Sequence, residues 1–95
     1  MSTYVVLDVA IYDLERYQEF VSRINPTIES AGGRFLIRGG AHEVLEGEWE
    51  PGQLALIEFP SKAKAEEFYH SELYKAWKSN REHWNWDVLV VAEGI

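Results

Sequence analysis

Residues 32–40 read GGRFLIRGG, two arginines on a five-residue run closed at each end by a glycine pair. The stretch is either an anion-binding loop or the punctuation around a strand. A phosphate-cradling loop needs its glycines between a strand and the N-terminus of a helix, where free N–H groups and the helix dipole point at the anion. Here the order is reversed. Upstream, Leu14, Tyr17, Val21, Ile24 and Ile28 recur at helical spacing with Phe20 beside them, behind Asp13 as N-cap. Gly32 and Gly33 therefore close a helix as C-cap glycines do. RFLIR then alternates as a strand, with Phe35 and Ile37 on one side and Arg34, Leu36 and Arg38 on the other. The glycines are punctuation, and the arginines are a separate question. Within the helix, Pro26 predicts a kink or a break.

Working outward, YVVLDVAI at residues 4–11 alternates as a first strand, Val5, Leu7, Val9 and Ile11 opposed to Tyr4, Val6, Asp8 and Ala10. Beyond Gly39 and Gly40, read as a bulge or sharp bend, the second strand is expected to resume through AHEVLEG (41–47) and turn at EWEPGQ (48–53). LALIEF (54–59) follows as a third strand. Ser61 is an N-cap for KAKAEEFYHSELYKAW (62–77), whose stripe of Ala65, Phe68, Leu73 and Trp77 is interrupted near His70 and Ser71, predicting a helix in two pieces. WDVLVVAE (86–93) supplies the last strand. The order βαββαβ is the split-βαβ arrangement: an α+β, ferredoxin-like fold with a four-stranded antiparallel sheet, order 4-1-3-2, and two helices on one face. Residues 1–95 form one domain.

Composition narrows the function classes. Apolar residues make up 46% and charged residues 26%, a globular mixture. No run reaches the ~18–20 apolar residues of a membrane span. The N-terminus has no basic segment or cleavage-site pattern, so the expectation is a cytoplasmic protein. A formal net charge of −7 with scattered basic residues argues against nucleic acid and anionic membranes as partners. The absence of cysteine removes disulfides, thiolate metal sites and a thiol nucleophile.

Helices on one face leave the other side of the sheet open. That side carries Tyr4, Val6, Ala10, Leu36, Leu54 and Leu56, on a surface projecting to roughly 400 Å² from strand spacing and rise. This matches the largest patches monomers expose, and the simplest cover is a second copy, so a homodimer through the open sheet face is expected. Asp8, Arg38 and Glu58 interrupt the face. With a hairpin turn near residue 48, Arg38 and Glu58 would lie almost opposite each other. Such charges either pair as a structural network or line a wet cavity for a ligand.

GGRFLIRGG, EVLEGEW, IEFPSKAKAEEFYHSELY and Arg81 together resemble the domain-of-unknown-function family numbered 1330, in the dimeric α/β-barrel superfamily, from Tyr4 to Gly94. The resemblance implies a ferredoxin-like subunit and a dimer whose two sheets face each other around a barrel. Arg38, Glu46, Glu58, Ser71, Tyr74 and Arg81 fall on positions of the family's pattern. Where relatives often carry Pro-Glu after the serine, this chain has Glu72 and Leu73. The resemblance implies no established biochemical role.

Candidate chemistry is sparse. Tyr74 and Arg81 are two helical turns apart, and with Ser71 they could line one wall of a pocket; Ser71 reads first as the N-cap of the helix's second half and only then as a ligand contact. Arg81 suits a substrate carboxylate or a surface salt bridge. His42, with Glu46 four residues on, is the conditional proton-transfer residue, because imidazole changes charge near neutral pH. His70 and His83 are isolated, so neither a metal site nor any other cofactor site is expected. Trp77, Trp84 and Trp86 suit an aromatic wall or a small core. Two functions remain. One is a small dimer binding or transforming a carboxylate-bearing or aromatic molecule in the inter-sheet cavity without a tightly bound cofactor. The other is a non-catalytic structural or regulatory dimer.

Overall fold

A computed structural model of the protein describes residues 2–79 and 84–95, the side chains of Trp77 and of residues 84–88 excepted. The elements run β1 (Thr3–Ile11), α1 (Leu14–Ser30), β2 (Arg34–Arg38), β3 (Gln53–Phe59), α2 (Lys62–Tyr69), α3 (Glu72–Ser79) and β4 (Trp84–Glu93). The four strands form one antiparallel sheet in the order β2-β3-β1-β4. This is the expected ferredoxin-like α+β arrangement. Alternation along β1 and β3 buries Val5, Leu7, Val9, Ala55, Ile57 and Phe59 on one side. Against them pack Tyr17, Phe20, Val21, Ile24 and Ile28 of α1, Ala65 and Phe68 of α2, and Tyr74 of α3, in one core. The helices thus share a single face of the sheet.

The helix ends are made by the residues the sequence places there. The Asp13 carboxylate accepts from the Arg16 N–H (3.1 Å) and starts α1. At the other end the Gly32 N–H donates to the Glu29 carbonyl (2.9 Å) and the Gly33 N–H to the Ile28 carbonyl (2.8 Å), with Gly32 at φ 80°. This is a Schellman closure, which needs the left-handed residue that glycine supplies. Gly33 has a second duty: a Cβ there would lie 2.6 Å from the Phe59 ring. Ser61 caps α2 through the Lys64 N–H (3.3 Å). Ser71 caps α3 through the Tyr74 N–H (3.1 Å), so the second helix is in two pieces as its interrupted stripe predicts.

Three expectations are corrected. Pro26 does not break α1, which runs unbroken through it. The proline removes one helical hydrogen bond, but Ile24 and Ile28 on either side of it are fully buried, and each contributes roughly 1.5–3 kcal/mol that the continuous helix retains. The second strand does not resume after Gly40, because residues 40–52 form no strand and the Gly39 N–H to the Leu54 carbonyl (2.8 Å) closes the β2–β3 ladder. A longer hairpin would set Glu43 and Glu46 against a return strand carrying Glu48, Glu50 and Pro51, opposing like charges and losing a ladder donor. The third correction lies inside β2. Arg34 and Phe35 pair with Glu58 and Ile57, but the register then shifts, and Ile37 and Arg38 pair with Leu56 and Ala55. Leu36 is the extra residue of a β-bulge, so from Ile37 onward the two faces are exchanged.

Because Pro26 is exposed and sits in the helix interior, Pro26→Ala is expected to raise the unfolding free energy. The gain is about 2 kcal/mol, the restored helix less the entropy the proline removes from the unfolded chain. Urea denaturation followed by circular dichroism measures it, and an unchanged or lowered midpoint contradicts this account of α1.

Candidate functional site

On the open side of the sheet, β1, β3 and β2 place Tyr4, Glu58 and Arg34 in one row, since Tyr4 and Arg34 are both register partners of Glu58. The Tyr4 hydroxyl donates to Glu58 Oε2 (3.1 Å) and Arg34 Nε donates to Glu58 Oε1 (3.0 Å). The Arg34 hydrogen bond first, then that of Tyr4, holds the Glu58 carboxyl below the usual glutamate range. The Glu58 side chain is 22% exposed and that of Arg34 71% exposed, so the row lies at a surface accessible to ligand. Arg34 commits only its Nε here; among the described residues its two terminal nitrogens have no protein partner. A fixed guanidinium beside a fixed carboxylate can orient a small molecule carrying a carboxylate together with a donor group.

A second carboxylate lies further along the same face. Asp8 is only 5% exposed, and both its oxygens accept: Oδ2 from Trp49 Nε1 (2.8 Å) and Oδ1 from the Gly52 N–H (2.9 Å). Two donors compensate the burial of a charge that would otherwise be costly. Gly52 is required for this contact, because a Cβ there would lie 2.8 Å from the Val9 carbonyl oxygen. Asp8 therefore pins the end of the 39–52 connection to the open face. Between the two carboxylates, Val6, Leu54 and Leu56 are half-buried, and Leu36, Ile37 and Val90 are more exposed beside them.

The remaining candidates are dispersed. Arg38 and Glu58 are not opposite each other: the bulge turns Arg38 to the helix side, where its Cζ lies 5.3 Å from the centre of the Phe35 ring, and Arg34 takes the place expected for it. His42 and Glu46 are exposed on the 39–52 connection. Ser71 caps α3, and Tyr74 is 1% exposed in the core, its ring 5.1 Å from those of Phe68 and Tyr69. Neither reaches the Glu58 row. Arg81 and His83 lie outside the described residues, as do the side chains of Trp77, Trp84 and Trp86. Among the described residues no three His, Asp or Glu side chains gather as metal ligands. Sequence reasoning missed Trp49 as the partner of Asp8; the signal available was a lone tryptophan among acidic residues beside a Pro-Gly turn.

Similar folds occur in crystal structures of distant sequence. A protein of unknown function from Rhodopseudomonas palustris, RPA0582, superposes with a TM-score of 0.73 at 16% identity, covering 99% of this chain and 82% of that one. Its methylated form gives 0.75 at 16% identity, covering 99% and 81%. HapK from Hahella chejuensis gives 0.63 at 10% identity, covering 100% and 93%. At these identities the likeness is one of fold. No protein of curated function matches the sequence. A family model described as Domain of unknown function (DUF1330) matches residues 2–95, and the protein belongs to that family.

Proposed function

We propose that the protein is a homodimer in which two open sheet faces meet and enclose a site for a small carboxylate-bearing or aromatic molecule, held without a tightly bound cofactor. The observation that carries this reading is the Tyr4–Glu58–Arg34 row: a partly exposed, pre-oriented ion pair set within an apolar sheet face. The face alone projects to roughly 400 Å², short of the ~800 Å² per partner of a standard interface. The 39–52 connection, tied to that face by Trp49 and Gly52, carries the exposed apolar side chains Val44, Leu45 and Trp49, which supply further area. In the dimeric α/β-barrel arrangement these groups are covered by the second copy. Arg34 receives the ligand's carboxylate, and Glu58 and Tyr4 hold the guanidinium in place. If the bound molecule is transformed, the proton-transfer role falls to His42, with Glu46 beside it, on the same anchored connection. Arg81 remains a candidate carboxylate contact from beyond the described residues.

A second reading, a dimer module without a ligand, draws on Asp8. Both of its oxygens are satisfied within the chain, so part of the charged cluster serves structure alone.

Sedimentation at low micromolar concentration is expected to show roughly twice the 11.0 kDa chain mass, and Leu56→Glu, which buries a charge at the sheet-to-sheet contact, to return it to the monomer. A wild-type monomer under these conditions removes the dimer. Thermal-shift screening with small carboxylates and aromatic acids checks the ligand. A binder at about 100 times its dissociation constant adds roughly 2.7 kcal/mol, and Arg34→Met should abolish that gain. If no such acid moves the melting temperature, the ligand-free reading stands. Glu58 gives a pH signature of its own. Its carboxyl is lowered in the folded protein, so the stability it contributes is present above the ordinary glutamate range and lost as pH falls through the lowered value. Wild type is expected to lose more stability than Glu58→Gln between about pH 7 and about pH 3; parallel profiles would show that the row contributes no pH-dependent stability.

A further inference from the structure

The residue the bulge displaces faces a site of its own. Arg38, Gln53 and the α1 side chains Leu14, Tyr17, Gln18, Val21, Ser22 and Asn25 surround a cleft of about 440 Å³ between the helix and the free edge of the sheet. That volume lies within the range of small-molecule pockets. It is separate from the Glu58 row, since the cleft opens on the helix side and the row on the opposite face.

The chemistry of the lining is selective. Leu14, Gln18, Ser22 and Asn25 follow one another at helical spacing, so one flank of α1 lines the cleft with two carboxamides and a hydroxyl, the Ser22 hydroxyl donating to the Glu19 carbonyl (2.7 Å) and keeping its lone pairs as acceptors. Glu15, Glu19 and Glu29 of the same helix are not among the lining residues. Asn25 Nδ2 donates to Glu29 Oε1 (3.1 Å), a bond that leaves its amide oxygen available. In a chain with 16 acidic residues against nine basic ones, Arg38 forms no ion pair among the described residues. Its guanidinium rests against the Phe35 ring, a contact that leaves its charge unneutralised. Burial pushes the Tyr17 phenol up to about 12, and Arg38's charge acts on it in the opposite direction. Gly39 completes the arrangement. It stands at φ 71°, a backbone conformation that favours glycine, and the Gln53 carboxamide oxygen packs directly against it.

We infer that this cleft binds a small hydroxylated monocarboxylate, its carboxylate on Arg38 and its hydroxyls on the carboxamides of Gln18, Asn25 and Gln53 and the hydroxyl of Ser22. One cation matches one negative charge; a phosphate dianion would call for more positive charge than the lining holds. Neutral donors and acceptors match hydroxyl groups, which both donate and accept.

The test uses the full-length protein and gluconate as the probe, with glucose and hexanoate as partners lacking the charge and the hydroxyls respectively. Backbone amide shifts are followed by NMR. Gluconate at millimolar concentration is expected to move the amides of Gln18, Ser22, Arg38 and Gln53, with glucose and hexanoate binding at least about tenfold more weakly. Arg38→Met should weaken gluconate about tenfold or more, while Lys62→Met, which removes an exposed cation on α2, should leave it unchanged. Gln53→Leu, an exposed and structurally mild substitution, should weaken gluconate without matching the loss at Arg38. The inference is overturned by an absence of shifts at the cleft, by gluconate binding that survives Arg38→Met, or by hexanoate binding as tightly as gluconate. Shifts confined to Tyr4, Val6 and Glu58 would also overturn it, and would point to the sheet face instead.

Discussion

Side chains alternate strictly across a β-sheet, and only an inserted residue can change which of them face which way. In this protein one residue, Leu36, makes that change on the edge strand β2. Before it, Arg34 stands on the open face and Phe35 on the core face. After it, Ile37 joins the open face and Arg38 the helix side. The two arginines of one short strand are therefore delivered to opposite sides of the sheet, one to an ion pair with Glu58 and the other to a cleft against α1. An edge strand tolerates this because only one of its sides is engaged in a ladder.

The second organising constraint is the supply of helix. The helices pack into one core with the same face of the sheet, and their apolar stripes are used up there. The chain then spends residues 39–52 on a partial cover for the other face, fastened where Trp49 and Gly52 meet Asp8. Charge placement follows the same division. Glu58 and Asp8 are carboxylates on an otherwise apolar surface, and each survives there because donors from neighbouring segments reach it. The Glu58 row retains an exposed cation, and the Asp8 contact does not. That difference separates a group suited to meet a ligand from one that holds the fold together.

Much of the fold was legible in residue order. Asp13, Ser61 and Ser71 act as caps through a side-chain oxygen that accepts from an N–H three residues on, and Gly32 with Gly33 closes α1 through bonds reaching back three and five residues. Such contacts are local, so a sequence window contains both partners. The site was legible only in part. Glu58 was anticipated as a charge on the open face, but its partner was assigned to Arg38, because alternation was carried through Leu36 without a break. Ser71 and Tyr74 were set near a pocket by their spacing, whereas capping and core packing take them into the helix layer. A tyrosine on an amphipathic helix has the same periodicity whether its ring meets ligand or core.

The amino-acid order by itself determined the succession of strands and helices, their ends, the core face of β1 and β3, and the strand order that follows from the split-βαβ topology. These depend on periodicity and on hydrogen bonds within a turn or two of chain. The tertiary structure alone decided which arginine meets Glu58, where Arg38 points, and how the 39–52 connection is fastened. Those outcomes depend on pairings between segments that are 17 or more residues apart in the chain. A shift of one residue there changes every partner beyond it while leaving local preferences almost untouched.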